Sequence, residues 1–173
     1  MATLMPDKNI AYRVYKDGTE LIGTATVDLP EISFMTDTIS GAGISGEIDS
    51  PVLGHIQAMT VTLNWRTIEA DALKLMHIDG CELTLRSSQQ NYDTSNTTRT
   101  TVPVKITMRC VPHTMSLGSL QPAASTESST ELEVNYLKVD VNNETQIEID
   151  KLNFKCVVGG TDLFAQVASD LGI

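Results

Sequence analysis

Basic residues are scarce in this sequence, which has 12 Lys and Arg against 22 Asp and Glu and a formal net charge of -10 over 173 residues. Nucleic-acid binding needs clustered Lys and Arg to contact phosphates, so this balance argues against a DNA- or RNA-binding protein. Long apolar runs are also absent: no stretch has the length of a membrane span, and residues 1–8 lack the apolar segment of a signal peptide. We therefore expect a protein that is made and folded in the cytoplasm and has no membrane span.

Residues that serve catalysis or metal binding are few. The chain has three cysteines and three histidines, all far apart in the sequence: Cys81, Cys110, Cys156, His55, His77 and His113. No Cys and His have the spacing of zinc ligands, and no Ser or Cys stands with a His and an acid in a motif for nucleophilic catalysis. The cysteines fit the pattern of small, buried and reduced side chains. We expect no enzymatic activity, no catalytic residue, no cofactor and no metal site.

Two short motifs resemble sites but lack the surrounding elements. Gly41 to Gly46 fits the G-x-G-x-x-G pattern of dinucleotide-binding proteins, yet no helix follows to hold a pyrophosphate, and Glu47 and Asp49 would repel it. We interpret this segment as a flexible contact loop. Glu148 and Asp150 share one face of a strand, as a glycosidase would require, but alternate acids are also common on a solvated strand face. Neither motif predicts an active site.

The sequence is rich in the alternation that is typical of β-strands. From Met59 to Trp65, apolar residues occupy the odd positions and polar residues the even ones, so that one face is apolar and the other polar. Similar patterns predict strands over residues 10–15, 20–29, 32–39, 56–65, 81–85, 102–110, 131–141 and 145–158. An Asp17-Gly18 turn joins the first two strands into a hairpin.

Two short helices complete the predicted elements. The first runs from Thr67, as its N-cap, to Met76, and the second follows Thr161, also as a cap, and ends at Gly172. The chain is therefore expected to be mainly β, with a β-sandwich or barrel-like core, a short internal helix and a short C-terminal helix. We expect a single domain over residues 1–173.

Irregular regions are predicted at four places. The polar run from Arg86 to Thr100 is typical of a long exposed hairpin tip, and His113 to Thr130 of a mobile connection. The apolar residues change face near Leu137, and they do so again within the strand at 145–158. A bulge or a change of packing surface would explain both changes.

Acidic residues concentrate near the C-terminal half of the chain. Between residues 113 and 150 there are seven Asp and Glu and a single basic residue, Lys138, which is a net charge of -6 out of the total of -10. This excess fits either a solvated face that aids solubility or the acidic wall of a channel.

Taken together, these segments resemble the major tail tube proteins of contractile-tailed phages and of phage-tail-like bacteriocins. The resemblance covers most of the chain and depends on the order and spacing of several segments; it is poorest from Ser116 to Ser129. The matching segments are Ser40 to Gly46 after the third strand, Met59 to Trp65, Val104 to Arg109, Glu148 to Asp150 with Asn153, Val157 to Leu163, and the ending Leu171 to Ile173.

The resemblance implies a structural subunit that assembles into six-membered rings, stacked as the hollow inner tube of a contractile tail. Long hairpins of neighbouring subunits would join edge to edge around the lumen, which satisfies strand edges that otherwise invite aggregation. The implied partners are further copies of the chain, a tail sheath protein outside, and a baseplate and a tail terminator at the ends. DNA would be a non-specific passing cargo, and the tube would form a conduit through the target envelope.

The lumen wall follows from the resemblance and from strand alternation. The strands expected there are Ile32 to Ile39 paired with Ile56 to Asn64, and Thr101 to Arg109 paired with Glu131 to Asn135. Their polar side chains would face the channel, and an acidic, hydroxyl-lined wall would let DNA slide without sticking. The residues expected to face the lumen are Thr60, Thr62, Glu131, Glu133 and Asn135.

Two segments are long enough to reach a neighbouring ring and are expected to carry stacking contacts. One is the glycine-rich loop and the other the polar hairpin tip. The contact residues are Ser40, Gly41, Gly43 and Gly46 in the loop, and Asn91, Asp93 and Asn96 in the tip.

Other functions remain open from the sequence. A tube-forming secreted protein of a contractile secretion system would share the architecture. A sugar-binding β-sandwich is a weaker alternative, because three Phe, four Tyr and one Trp provide few platforms on which a sugar could stack. An esterase or another enzyme is the most distant alternative.

Overall fold

The computed structural model describes residues 4–20 and 24–172. Within these residues the chain forms strands and two short helices, which follow one another along the chain as β1 Leu4–Lys16, β2 Thr19–Glu20, β3 Thr24–Asp28, β4 Phe34–Ile39, β5 Ile48–Ile56, β6 Thr60–Trp65, α1 Ala70–Lys74, β7 Cys81–Asp93, β8 Arg99–Ser116, β9 Ser128–Val141, β10 Glu144–Asp150, β11 Lys155–Val158, β12 Thr161–Asp162 and α2 Ala165–Leu171. The expected fold class, mainly β with two short helices, is confirmed.

A large antiparallel sheet forms the body of the subunit. Its strands follow the order β12-β11-β10-β9-β8-β7-β1-β2, and β6 joins it by pairing with β9 on one side and β3 on the other. Most neighbours are also consecutive in the sequence, which is expected when short turns connect antiparallel strands. The turns include Asp17-Gly18 and Asn142-Asn143, all with positive φ, as two-residue hairpins require.

Strand β9 lies at the branch point of the sheet. Its first half pairs with β6, its second half pairs with β10, and β8 lies along its other edge throughout. The register with β8 shifts between Arg109 and Cys110, which leaves Asn135 as an extra residue on β9. As a result Val134 and Leu137, which strict alternation would place on opposite faces, are both buried. The predicted change of face near Leu137 is therefore confirmed, and a bulge causes it.

The core lies on one face of this sheet. Alternate residues of β6 and β9 supply its centre, and Met108 of β8 and Leu83 of β7 pack beside them. The indole Nε1 of Trp65 donates a buried hydrogen bond of 3.1 Å to Oγ1 of Thr130 on β9. Each fully buried leucine of such a core contributes about 2 kcal/mol through the hydrophobic effect.

Strands β4 and β5 form a separate two-stranded sheet, which we call the β4–β5 hairpin. At its base, Gly54 has φ +70° and lies against Phe164, where a Cβ would come within 2.6 Å of the Phe164 ring. Phe164 also packs edge to face against His55 and Phe154. The base of the hairpin is therefore anchored to the segment that leads into α2, and glycine is needed for that close approach.

The helices differ in detail from their predictions. Helix α1 begins after Glu69, not Thr67, and the Thr67 hydroxyl instead donates to the Glu69 carboxylate at 2.7 Å. Thr161 lies in β12 and does not cap α2, which begins after Phe164 and ends at Gly172 with φ 73° as predicted. The C-terminal helix packs against the core through the buried Phe164 ring before it and the partly buried Val167.

Three predicted strands are divided differently. The strand predicted at 56–65 is split between β5 and β6, and the one at 145–158 is a hairpin with a turn at residues 151–154. Part of the strand predicted at 20–29 and the final residue, Ile173, fall outside the described residues. Glu20 pairs with Tyr15 of β1, as the predicted hairpin requires, but β3 pairs with β6. The polar run at 86–100 is mostly strand, because β7 and β8 pair in register as far as Tyr92 and Arg99.

Candidate assembly surfaces

The polar face of β6 and β9 brings together four of the residues expected to face a lumen. Thr60 lies directly opposite Glu133 and Thr62 directly opposite Glu131. Their neighbours in the two strands point the other way and are fully buried: Val61, Leu63, Leu132 and Val134. The alternation therefore places the four polar side chains on one surface, as predicted, and the surface extends to β3, where Asn64 Nδ2 donates to Asp28 Oδ2 at 2.9 Å.

The strand pairs expected around this surface are partly wrong. Strand β4 pairs with β5, not with β6, because the chain turns back at the glycine-rich loop. Strands β8 and β9 do pair, but Glu131 lies opposite Thr114 and Val134 opposite Cys110, so the 101–109 segment pairs further along β9. The polar surface is consequently built from β3, β6, β9 and the last part of β8.

Both carboxylates of the polar surface have partners. Lys151 Nζ lies 2.9 Å from Glu133 Oε1, and His113 Nδ1 lies 3.0 Å from Glu131 Oε1. The Lys151 pair is the more sheltered, since its side chains are 20% and 26% exposed. The surface is therefore rich in hydroxyls and carboxylates, but part of its negative charge is neutralised locally.

Asn135 occupies a different position from the other four residues. It is the extra residue of the β9 bulge, and its carbonyl oxygen accepts a hydrogen bond of 3.1 Å from the Lys151 amide. It lines a groove of about 320 Å³ together with Arg109, Tyr136 and Asp150. The bulge thus separates Asn135 from the row formed by Glu131 and Glu133.

The two carboxylates of β10 near this groove make contacts that stabilise the fold. Glu148 accepts a hydrogen bond from Tyr136 Oη at 3.1 Å and lies 2.9 Å from Lys155 Nζ. The bond to Lys155 lowers the pKa of Glu148, and burial together with the bond to Glu148 raises the pKa of Tyr136 to about 12. Burial alone would raise the pKa of Asp150, but hydrogen bonds from Asn153 and from the Leu152 amide outweigh it and lower that pKa.

Asp150 closes the turn after β10. Its Oδ1 accepts from the backbone amides of Leu152 and Asn153 at 3.0 and 3.1 Å, and its Oδ2 accepts from Asn153 Nδ2 at 2.7 Å. Both carboxylates are therefore engaged in structural contacts, and Asp150 is buried rather than on the solvated strand face that the sequence predicted. Among the described residues, no group of three or more His, Cys, Asp and Glu is placed to hold a metal ion.

The glycine-rich loop connects β4 to β5 at the far end of the hairpin. Its four predicted contact residues, Ser40, Gly41, Gly43 and Gly46, are all exposed. A backbone hydrogen bond of 3.1 Å from the Ile44 amide to the Gly41 carbonyl forms a turn, and Gly43 has φ +94°. No Cβ added at these glycines would meet an atom within 4 Å, so the loop is open to solvent.

The predicted hairpin tip is shorter than expected. Only Asn96 lies in the connection between β7 and β8; Asn91 and Asp93 belong to β7, and Asn91 pairs with Pro6 and Thr100. Asp93 is largely buried, and it accepts hydrogen bonds from the Ser95 hydroxyl and amide, which lower its pKa. Asp93 therefore shapes the turn, and Asn96 is the member of the predicted set that the tip presents to solvent.

An exposed apolar face on the β4–β5 hairpin was missed in the sequence. Residues 35, 37 and 39 of β4 share a face with residues 48, 50 and 52 of β5, because Asp37 pairs with Ser50 and Ile39 with Ile48. The four apolar members of this face are 41% to 54% exposed: Met35, Ile39, Ile48 and Val52. Their alternation with polar residues is visible in the sequence and was the available signal.

Comparisons with known proteins show the family of this chain. The family model described as phage tail tube protein FII matches residues 6–172. The tail tube protein of Escherichia phage P2 is 23% identical over 176 residues, which cover 98% of this chain and 99% of the phage P2 protein. Among the described residues, no helix is long and apolar enough to cross a membrane.

Solved structures are similar as well. One chain of the PVC sheath/tube terminator in the extended state, from an extracellular contractile injection system, has a TM-score of 0.52 at 13% identity, and the match covers 76% of this chain and 94% of that one. A chain of the PVC sheath-tube complex has a TM-score of 0.48 at 14% identity, with 79% and 90% covered. With a family model that matches nearly its whole length, the chain belongs to the phage tail tube protein FII family.

Proposed function

We propose that this chain is a structural subunit that assembles into six-membered rings, and that the rings stack as the hollow inner tube of a contractile tail. The tube would serve as a conduit through the target envelope. The subunit would act as one domain, be made in the bacterial cytoplasm and enter a virion tail or a tail-like particle. Family membership supports a tail tube role, and the strand edges of the subunit support self-assembly.

The β4–β5 hairpin is the observation that carries the proposal. Its two strands pair only with each other among the described residues, so both outer edges offer free backbone donors and acceptors. A two-stranded sheet of this kind is marginally stable in water by itself. Its apolar face is exposed along most of its length. A hairpin with open edges and an uncovered apolar face is stabilised when another chain covers it.

The main sheet has further open edges. Strand β1 pairs with β7 along its length, but on its other side it pairs only at Tyr15 and Lys16 within the described residues. Strand β3, within the same part of the chain, pairs with β6 on one side only. Long edges of this kind would close into a continuous barrel if neighbouring subunits paired with them.

In the assembled tube, the polar surface of β6 and β9 is proposed to face the lumen. Thr60, Thr62, Glu131 and Glu133 would line the wall, with Asn135 beside them. The wall would carry DNA only as a non-specific passing cargo, because carboxylates and hydroxyls offer phosphates no fixed positive contacts. The ion pair to Lys151 would moderate this repulsion without creating a binding site.

The ring-to-ring contacts are proposed to come from the two exposed connections. The glycine-rich loop from Ser40 to Gly46 reaches furthest from the hairpin base, and Asn96 marks the tip between β7 and β8. The outer surface of the tube would meet a sheath protein, and its ends would meet a baseplate and a tail terminator. The similar PVC structure is itself a sheath/tube terminator, which supports partners of these kinds.

The experiment that tests assembly removes the apolar face of the hairpin. In the double variant Ile39→Ser with Ile48→Ser, we expect a folded subunit that no longer forms tubes in negative-stain electron microscopy. Ile78→Ser with Leu120→Ser is the matched control, because these side chains are also exposed but lie outside the hairpin. Tubes of normal length and number in the hairpin variant would contradict the proposal, as would wild-type protein that stays monomeric at high concentration.

A further inference from the structure

A row of positive charge runs along the outer face of β7 and β8, opposite the core. Arg86 lies directly across from Lys105, and Arg99 and Arg109 continue the same face of β8 in either direction. All four side chains are exposed, and from residue 99 to residue 109 the row spans about 33 Å of strand. We call these four residues the cation stripe.

The four members of the cation stripe form no ion pair within the described residues, although Asp150 lies close enough to Arg109 to interact with it electrostatically. Three of them instead lie over tyrosine rings, with guanidinium carbons 4.4 to 5.7 Å from the ring centres: Arg86 over Tyr15, Arg99 over Tyr92 and Arg109 over Tyr136. Such stacking fixes a guanidinium group while leaving its N–H donors free for an anion.

The few acids near the stripe do not neutralise it. Asp140 lies opposite Lys105 in register, but its Oδ1 accepts from Thr145 at 2.7 Å and lies 3.5 Å from Lys138. Glu82 lies opposite Arg109, and the two form no ion pair in the described structure. Like charges directly across a sheet, such as Arg86 and Lys105, are destabilising. A chain with a net charge of -10 has therefore concentrated unpaired cations where they repel one another.

The β4–β5 hairpin carries negative charge, opposite in sign to that of the cation stripe. Between Lys16 and Arg66 the chain has seven acidic residues and no Lys or Arg. Three of these acids lie on the hairpin or its loop, are exposed and form no ion pair among the described residues: Asp37, Glu47 and Asp49. The hairpin also has open edges and an apolar face that nothing in its own described chain covers.

We propose that the cation stripe of one subunit is the docking surface for the acidic β4–β5 hairpin of a second copy. This inference rests on the proposed function and names the two surfaces that meet. Copies with a net charge of -10 repel one another, so association needs contacts that bring opposite charges together. The stripe and the hairpin supply the two halves of such a contact, in which the hairpin presents the face that carries Asp49, opposite its apolar face.

A charge-reversal experiment tests the pairing. One variant reverses the stripe, Arg86→Glu with Lys105→Glu, and a second reverses the acids at the loop end of β5, Glu47→Lys with Asp49→Lys. Each alone is expected to lower the fraction of protein that sediments as tubes about tenfold at physiological salt, because like charges then meet. Mixing the two variants restores tubes to within about twofold of wild type, since each then offers the other a matched surface.

Two controls separate this pairing from general effects. Arg66→Glu with Lys74→Glu changes the net charge by the same amount away from the stripe, and is expected to leave tube formation unchanged. Arg86→Gln with Lys105→Gln removes charge without reversing it, and is expected to give about a threefold loss, which higher salt does not deepen. Circular dichroism of each soluble subunit shows whether it is folded.

Several outcomes would overturn the inference while leaving the proposed function intact. Wild-type protein would form tubes, but the stripe reversal would assemble equally well, or the mixture would assemble no better than its components. An equal loss in the Arg66 and Lys74 control would assign the effect to net charge. If the stripe reversal kept its tubes but lost binding to a short DNA duplex, the stripe would face nucleic acid instead. Wild-type protein that forms no tubes would overturn the proposed function itself.

Discussion

The strands around β9 and the β4–β5 hairpin have the same kind of sequence but different surroundings. In β6 and the first half of β9, the apolar residues Val61, Leu63, Leu132 and Val134 are buried, and each strand has a partner on both sides. In the hairpin, Met35, Ile39, Ile48 and Val52 alternate in the same way but remain exposed, and each strand has one partner within the described chain. The apolar face is covered by the chain itself in the first region and exposed in the second.

This contrast distinguishes the part of the subunit whose apolar face is covered by its own chain from the part whose apolar face is not. An amphipathic strand needs something apolar to cover one face, and the chain supplies that cover around β9 but not, among the described residues, at the hairpin. The hairpin is nonetheless held at a defined base by Phe164 against Gly54. A fixed base with an uncovered arm fits a segment whose cover comes from another copy, and the difference between the two regions can be measured.

The largest expected difference is in core stability. Leu132 on β9 is fully buried, so Leu132→Ala should lower the free energy of unfolding of the soluble subunit by about 2 to 5 kcal/mol. Leu53 of the hairpin is 64% exposed, and Leu53→Ala should change that free energy by less than about 0.5 kcal/mol. Urea unfolding followed by tryptophan fluorescence measures both. Similar losses in the two variants would mean that the hairpin is part of the subunit's own core.

A smaller effect is expected from a buried polar contact beneath β9. Thr130→Val removes the acceptor of the Trp65 Nε1 hydrogen bond and leaves that donor buried, which should cost about 2 kcal/mol of unfolding free energy. Thr62→Val is the matched control, because this threonine lies on the half-exposed face of β6 and should change stability by less than about 0.5 kcal/mol. If the two variants were equally stable, the hydrogen bond would not contribute measurably.

The alternation of β6, β9 and β8 could be predicted because it depends on neighbouring residues only. The pairing of strands could not be predicted, because it depends on where the chain makes a tight turn. The hairpin turns back at Gly43 and Gly46, so β4 meets β5 before it can meet β6. The strand predicted over 145–158 is broken by Asp150, whose carboxylate holds a turn that the apolar pattern does not show.

The separation of the cysteines in the sequence does not show how close they are in the structure. Cys81 and Cys110 are far apart along the chain, yet they lie directly opposite each other across β7 and β8. Both are free, and burial raises the pKa of each thiol. The cation stripe was hidden for the same reason, because Arg86 and Lys105 become neighbours only once the hairpin forms. The polar run from Arg86 to Thr100 did not predict strands, since without apolar residues it has the composition of a loop.

A pH-dependent effect should appear at the turn after β10. Asp150→Asn removes carboxylate acceptors from two amides and should destabilise the subunit by about 1.5 kcal/mol at neutral pH. Because the folded state lowers the pKa of Asp150, its contribution is present above the ordinary pKa and is lost as the pH falls through the folded value. The difference between wild type and variant should therefore shrink as the pH falls from about 5 to about 3.

Unfolding in urea across this pH range measures the change. Asp71→Asn is the control, since Asp71 is an exposed partner of Lys74 on α1 and its replacement should shift stability by less than about 0.5 kcal/mol. A difference between wild type and Asp150→Asn that stayed constant over the whole range would show that the carboxylate charge is not what holds the turn.

The smallest effect is expected on the polar surface of β6 and β9. Glu133→Gln weakens the contact to Lys151 but keeps the size of the side chain, so the free energy of unfolding should fall by about 0.5 kcal/mol, and less in high salt. We expect the stability of the fold to depend much less on this surface than on Leu132, so the residues of this surface are available for the proposed lumen wall. Urea unfolding at two salt concentrations measures the change. A loss as large as that of a core variant would mean that the Glu133 and Lys151 pair stabilises the fold. The buried face of β9 would then no longer differ from its polar face in its contribution to stability.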